Sequence, residues 1–217
     1  MKLIESINAE LKSYVESEII PRYDSFDTAH QRDHVLTVIE QSLALATHYD
    51  VNPDMVYTAA AYHDTGLAKG REMHHSESAA IIRADNHLTQ WFTTEQIDTI
   101  ADAAEDHRAS STHEPRTIYG RIVAEADRVI VPETIIRRTI QYGLSHYAEL
   151  SREQHYRRTL DHLNEKYAEG GYLKLWIPFS NNARRLKELR LIIKDERKLY
   201  ELFNEFYDQE SQSHIVK

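Results

Sequence analysis

The chain reads as an all-α protein, and three observations carry that expectation. Glycine and proline are scarce, 6 and 5 among 217 residues, so few positions break a helix. Apolar residues recur at spacings of three and four over most of the length, the period of a helix with one buried face. Alternating β-branched runs are nearly absent. Tyr172 to Pro178 is the exception, and with nothing obvious to pair with it reads as an extended connector.

Each helix has its own signal. Leu3, Ile7, Leu11, Tyr14 and Val15 form a first amphipathic stripe that stops before Pro21. A second helix is expected from Arg32 to Tyr49, with Val35, Val38, Ile39 and Ala46 inward. Asn52-Pro53 is a cap followed by a first-turn proline, opening a helix that ends at His63-Asp64. The next starts near His75-Ser76 and runs to Asn86. Thr93 and Gln96 have capping-box spacing for a helix reaching His107. Another runs from Arg116 to Val131, and Pro132 begins a new one. Ser151 and Gln154 repeat the capping box, with Gly170-Gly171 as the stop. Ser180 then caps one long final helix with Leu186, Leu189, Ile193 and Phe203 on one side. No internal repeat or flexible linker marks a boundary. The expected organisation is a helical core over 1–131 and a C-terminal helical extension over 132–217 packed on the same domain.

Bulk composition narrows the functions. An apolar fraction of 41% with 28% charged residues is ordinary for a globular protein. A net charge of −9 disfavours binding to duplex nucleic acid, although a metal inside a pocket can reverse the local sign for a small anion. Cysteine is absent, which excludes disulfides and thiolate metal sites and leaves imidazole and carboxylate as strong ligands. The 13 histidines are many for this length. No basic segment followed by an apolar core opens the chain, and no apolar run approaches the roughly 20 residues that span a bilayer. A cytoplasmic protein without a membrane partner is expected; the oligomeric state stays open.

His63-Asp64 stands at the end of the apolar stretch Ala59 to Tyr62, where two polar groups cost free energy unless something binds them. Helical phase adds further candidates. His34 shares a face with Val38 and Leu45, His107 follows Ile100 and Ala104, and Asp127 lies between Val123 and Ile130. Taken singly, each has a plain alternative. A lone inward histidine is more often a hydrogen-bonded core residue, Asp127 has Arg128 and Arg121 as surface partners, and His63-Asp64 suits a helix C-terminus. Their joint occurrence, in phase on separate helices, favours a divalent metal. His75 lies near a helix start, where the dipole keeps an imidazole neutral; His74 beside it competes for the same role.

This ordered set, with Asp127 inside Ala-Asp-Arg-Val, resembles the HD-domain superfamily of metal-dependent phosphohydrolases over Phe26 to Ile130. The resemblance implies an HD-type helical bundle. It also implies one metal on His34, His63, Asp64 and Asp127, with Asp64 bridging to a second held by His75 and His107. Diadenosine-tetraphosphate hydrolases of the HD type are similar in this six-ligand layout and in size. The implied chemistry is hydrolysis of a small phosphorylated substrate by a metal-activated water, with one or two ions of Fe, Mn, Co, Ni or Zn. Asp64, Lys69 and Arg128 are the catalytic candidates, and Lys69, Arg71, Arg108 and Arg128 are the cations nearest the ligands. Many members read His-Asp-Ile-Gly-Lys; here His-Asp-Thr-Gly-Leu puts the lysine two positions later, at Lys69. The Gly-Tyr-Pro signature of cyclic-dinucleotide phosphodiesterases is missing. Two rival functions share these ligands: an HD-fold di-iron oxygenase, and a non-catalytic protein that binds metal or nucleotide.

Overall fold

Helix α1 (Ala9–Tyr14) opens the described chain, capped by the Asn8 side chain, which accepts hydrogen bonds from Glu10 N–H and Leu11 N–H. It continues through a π-helical turn, Val15–Ile19, and a 3-10 segment, Ile20–Ser25, that takes up Pro21 in its first turn. The computed structural model describes residues 6–27, 30–111 and 113–215. Leu3, expected on the first stripe, lies outside them.

Helices α2 (Arg32–Ala46) and α3 (Pro53–Tyr62) follow. Asn52 caps α3 by accepting from Asp54 N–H, and every residue from Met55 to Tyr62 is buried. A helix apolar on all sides has to be surrounded. Around it pack α2, α5 (Thr94–Glu105) and α6 (Ile118–Asp127), while α4 (His74–Ala84) lies on α5 and on the 3-10 turn Thr65–Lys69. Gly66 makes that last contact possible. A β-carbon there would sit 2.1 Å from the His74 carbonyl oxygen and 2.6 Å from Ser78 N, and Gly66 N–H instead donates to Ser78 Oγ at 2.9 Å. The Thr93–Gln96 capping box forms as its spacing predicts.

Asp85, just past α4, ties three segments together. Its Oδ2 accepts from Tyr14 Oη of α1 and Tyr62 Oη of α3, each at 2.6 Å, and its Oδ1 accepts from His87 N–H at 3.0 Å. Burial alone would push this carboxyl up; the two phenol hydrogen bonds bring it below the ordinary range.

The chain divides into two compact units after Arg128, and the first also takes in Leu175–Ile177. That strap is fastened by Glu125 of α6, a fully buried carboxylate that accepts from Trp176 N–H at 2.7 Å and Ile177 N–H at 3.2 Å. The alternating pattern at 172–178 is thus an extended connector, and no strand occurs among the described residues.

The second unit holds α7 (Pro132–His146), α8 (Arg152–Tyr167), α9 (Asn181–Lys194) and α10 (Glu196–Ile215), with Ile136, Ile140, Leu163, Leu189 and Phe203 fully buried. The expected single helix after Ser180 is two. Asp195 leaves helical geometry (ψ 86°), and its Oδ1 accepts from Lys198 N–H at 3.0 Å, so a carboxylate cap restarts the helix. The apolar stripe runs through the break, which is why periodicity alone concealed it. Among the described residues no helix is long and apolar enough to cross a membrane.

Candidate metal centre

Six side chains from five stretches of the first unit converge, and three of them are oriented by local backbone carbonyls. His63 and His107 follow the C-terminal ends of α3 and α5, where free carbonyls await donors. His63 Nδ1 lies 2.7 Å from the Ala60 carbonyl oxygen, and His107 Nδ1 makes a close bond of the same type to Ala104 O. His74, first residue of α4, repeats the pattern with Arg71 O at 2.8 Å. A carbonyl only accepts, so each Nδ1 carries the proton, and in the neutral ring Nε2 is left with a bare lone pair aimed at the cluster.

Two triads result, each with its ligating atoms within 4.8 Å of one another: His34, His63 and Asp127, and Asp64, His74 and His107. In the first, His34 Nε2 is 3.2 Å from Asp127 Oδ1 and 3.3 Å from His63 Nε2. In the second, His74 Nε2 is 3.1 Å from His107 Nε2. Asp64 serves both: Oδ2 lies 3.3 Å from His63 Nε2 and 3.6 Å from His34 Nε2, while Oδ1 lies 3.3 Å from His107 Nε2 and 3.5 Å from His74 Nε2. Imidazole nitrogens facing each other this closely repel unless a proton or a cation stands between them. A nitrogen-and-oxygen donor set of this kind fits a borderline divalent transition metal in each triad.

Electrostatics agree. Burial pushes the Asp64 carboxyl up, yet the imidazoles around it hold it well below the ordinary range; Asp127, also pushed up by burial, is lowered in the same way by His34 and Arg128. Burial pushes His34 down, but hydrogen bonds to Asp127 and Asp64 carry it up to about 9. His74, with burial and His107 beside it, falls to about 4 and stays neutral. The cluster is closed on one side, where His63, Asp64 and His107 are at most 3% exposed. It opens on the other, where His34, His74 and Asp127 are 16–19% exposed.

One expected ligand is displaced by a residue. His74, not His75, completes the second triad, because α4 begins at His74 and the carbonyl of Arg71 orients that ring; one position on, His75 turns away to face Arg108 Nη1 at 3.3 Å. The cations also differ from expectation. Arg128 is buried, donating from Nη1 to Asp127 Oδ2 at 2.8 Å and from Nη2 to the His107 carbonyl at 2.6 Å, so both ends of its guanidinium are engaged at the cluster. Lys69 is 63% exposed in an ion pair with Glu77 at 2.6 Å, pointing to solvent.

Two positioning residues carry no sequence signal. Tyr23 is fully buried; its hydroxyl donates to Ala61 O at 2.9 Å and accepts from Asp64 N–H at 3.3 Å. Asp106 accepts from Arg116 N–H at 2.6 Å and from its guanidinium at 2.9 Å, fixing the loop after His107.

The model of the HD domain family matches residues 32–131. This stretch is an HD domain. It contains all six side chains named above. A crystal structure of a predicted HD superfamily hydrolase from an uncultured Thermotogales bacterium superposes with a TM-score of 0.51 at 22% identity, covering 74% of this chain and 88% of that one, and so shares the fold. No curated protein matches the chain. Within the HD domain the His-Asp pair for which the family is named is the hinge of the cluster, joining α3 to the turn that leans on α4.

Proposed function

We propose that the protein is a metal-dependent phosphohydrolase that cleaves a phosphate ester with a metal-activated water. The observation behind this reading is one carboxylate, Asp64, offering an oxygen to each of two triads whose histidines turn their Nε2 atoms to the cluster. In this reading His34, His63 and Asp127 would hold one ion and His74 and His107 a second, with an Asp64 oxygen available to each. Bound there, divalent ions supply an acidified water and neutralise charge on the phosphoryl oxygens.

The chain's own groups do the rest. His63 and His107 form the dry floor of the site, so a substrate approaches past His34, His74 and Asp127. Arg128 occupies Asp127 Oδ2 and leaves Oδ1 turned to the cluster. Tyr23 holds the peptide of Asp64 so that its two oxygens splay toward the two triads. Arg71, paired with Asp27, and Arg108, bonded to the Glu72 carbonyl, are the remaining cations near the ligands in sequence, and each would have to exchange a present partner to bind an anion. The name of the structural neighbour, a predicted hydrolase, points the same way.

The test is elemental analysis of the purified protein together with a phosphatase and phosphodiesterase panel under Fe, Mn, Co, Ni and Zn. About two ions per chain and hydrolysis of at least one phosphate ester are expected. No metal under any loading condition, or oxygen uptake by the iron form without hydrolysis, overturns the reading.

A further inference from the structure

The second unit holds a polar group of its own, where α8 faces α7. His155, Arg158 and Thr159 are spaced by three and four residues on α8 and so share one side of it. His155 is 1% exposed and Thr159 0%. His155 Nδ1, Arg158 Nε and Thr159 Oγ1 are buried, and none has a hydrogen-bond partner among the described residues. A buried polar atom without a partner costs free energy, and here three fall within five residues. Arg158 donates from Nη2 to the Thr139 carbonyl of α7, and among the described residues no carboxylate pairs with it. Glu149, on the exposed connection before α8, acts on His155 from a distance. Opposite them stands Gly143 of α7. A β-carbon there would lie 2.7 Å from Arg158 Nη2 and 2.9 Å from both Arg158 Nε and His155 Nδ1, so the glycine keeps these nitrogens uncovered. The rings of Tyr142 and Tyr147 flank the guanidinium, each centred 5.7 Å from its central carbon, and both reach solvent.

We propose that this side of α8 binds the carboxylate of a small aromatic acid, with Arg158 taking its oxygens and Tyr142 and Tyr147 flanking its ring. The site shares no residue with the metal centre and does not depend on its chemistry. Geometry and charge both favour a carboxylate. Nε and Nη2 form the edge of a guanidinium that meets a carboxylate in two parallel bonds, and Nη2 keeps a second hydrogen after its bond to Thr139. His155, with its proton on Nδ1, and the rotatable hydroxyl of Thr159 add donors on the same side. Arg158 brings one positive charge, because burial and the guanidinium beside it hold the His155 ring neutral. A carboxylate balances that charge, whereas a phosphate dianion leaves one in excess. The exposed tyrosine rings suit an aromatic body.

Calorimetric titration of the full chain with benzoate, acetate and inorganic phosphate tests the site. Running it with metal and after chelation separates this site from carboxylate binding at the metal centre. Benzoate is expected to bind in both conditions with a dissociation constant of about 1 mM or tighter, and acetate and phosphate about tenfold more weakly. Arg158→Met should weaken benzoate at least about tenfold, and Arg158→Lys, which keeps the charge and loses the paired edge, should fall between. Thr159→Val gives a readout that needs no ligand. Removing a buried hydroxyl that has no partner should raise the thermal midpoint of the free protein by about 2–4 °C, while benzoate binds more weakly. No saturable benzoate binding, binding lost on chelation, or binding that survives Arg158→Met overturns the proposal. Phosphate binding as tightly as benzoate overturns the carboxylate assignment. A lowered midpoint in Thr159→Val, the mark of a hydroxyl already satisfied by resident water, overturns the site itself.

Discussion

Asp64 is the residue on which the centre depends, since each of its oxygens serves a different triad. Asp64→Ala should therefore weaken both ions, by at least about a hundredfold in affinity, where the loss of a ligand's supporting partner alone costs 10–100-fold. Elemental analysis after dialysis against a weak chelator reads this directly. The neighbouring histidines separate cleanly: His74→Ala should remove one ion of the pair, and His75→Ala should leave both. Arg128 illustrates why a cation beside a ligand in sequence need not meet a substrate. Its neighbour Asp127 is the acceptor it satisfies, and the His107 carbonyl takes its other end. Arg128→Ala should thus act through metal retention, seen as faster loss of the ion held by Asp127.

The helices show how far such a centre is legible in a chain and where it stops. His34, His63, His107 and Asp127 could be found because a period of 3.6 fixes which way a side chain points, and buried polar positions on an apolar face stand out. His74 could not be separated from His75, because one residue at a helix start decides which ring turns inward and the deciding contact is a backbone carbonyl. Tyr23 and Asp106 were invisible for a related reason: their partners are a peptide N–H and an arginine that only the fold brings near. The helix break at Asp195 was hidden by an uninterrupted apolar stripe.

Gly66 is the contact between elements most open to test. Gly66→Ala forces a methyl onto the His74 carbonyl and should cost about 1–3 kcal/mol by urea denaturation, with selective loss of the ion on the α4 side. Asp85 offers a test by pH. Its carboxyl is depressed in the folded state, so its contribution is present above the unfolded value near 4 and fades as pH falls through the lower folded one. The stability gap between the protein and Asp85→Asn should be widest at neutral pH and close as the solution is acidified below about pH 4.

The side chains of the proposed metal centre come from α2, α4, α6 and the ends of α3 and α5, which are far apart in the chain. A ligand that binds only the folded form stabilises by mass action, about 2.7 kcal/mol at a hundred times its dissociation constant. Chelation should accordingly lower the thermal midpoint by several degrees, and re-addition of the metal should restore it. A final consequence follows from Glu125. Its carboxylate is sealed from water and takes two peptide donors from a stretch some fifty residues downstream. Anyone trimming the gene to the family boundary near 131 would therefore express a truncated piece with an acid left inside it, deprived of those donors, and with Ile177's place vacant. Such a piece should emerge as aggregate, and co-expressing the remainder of the polypeptide should rescue it.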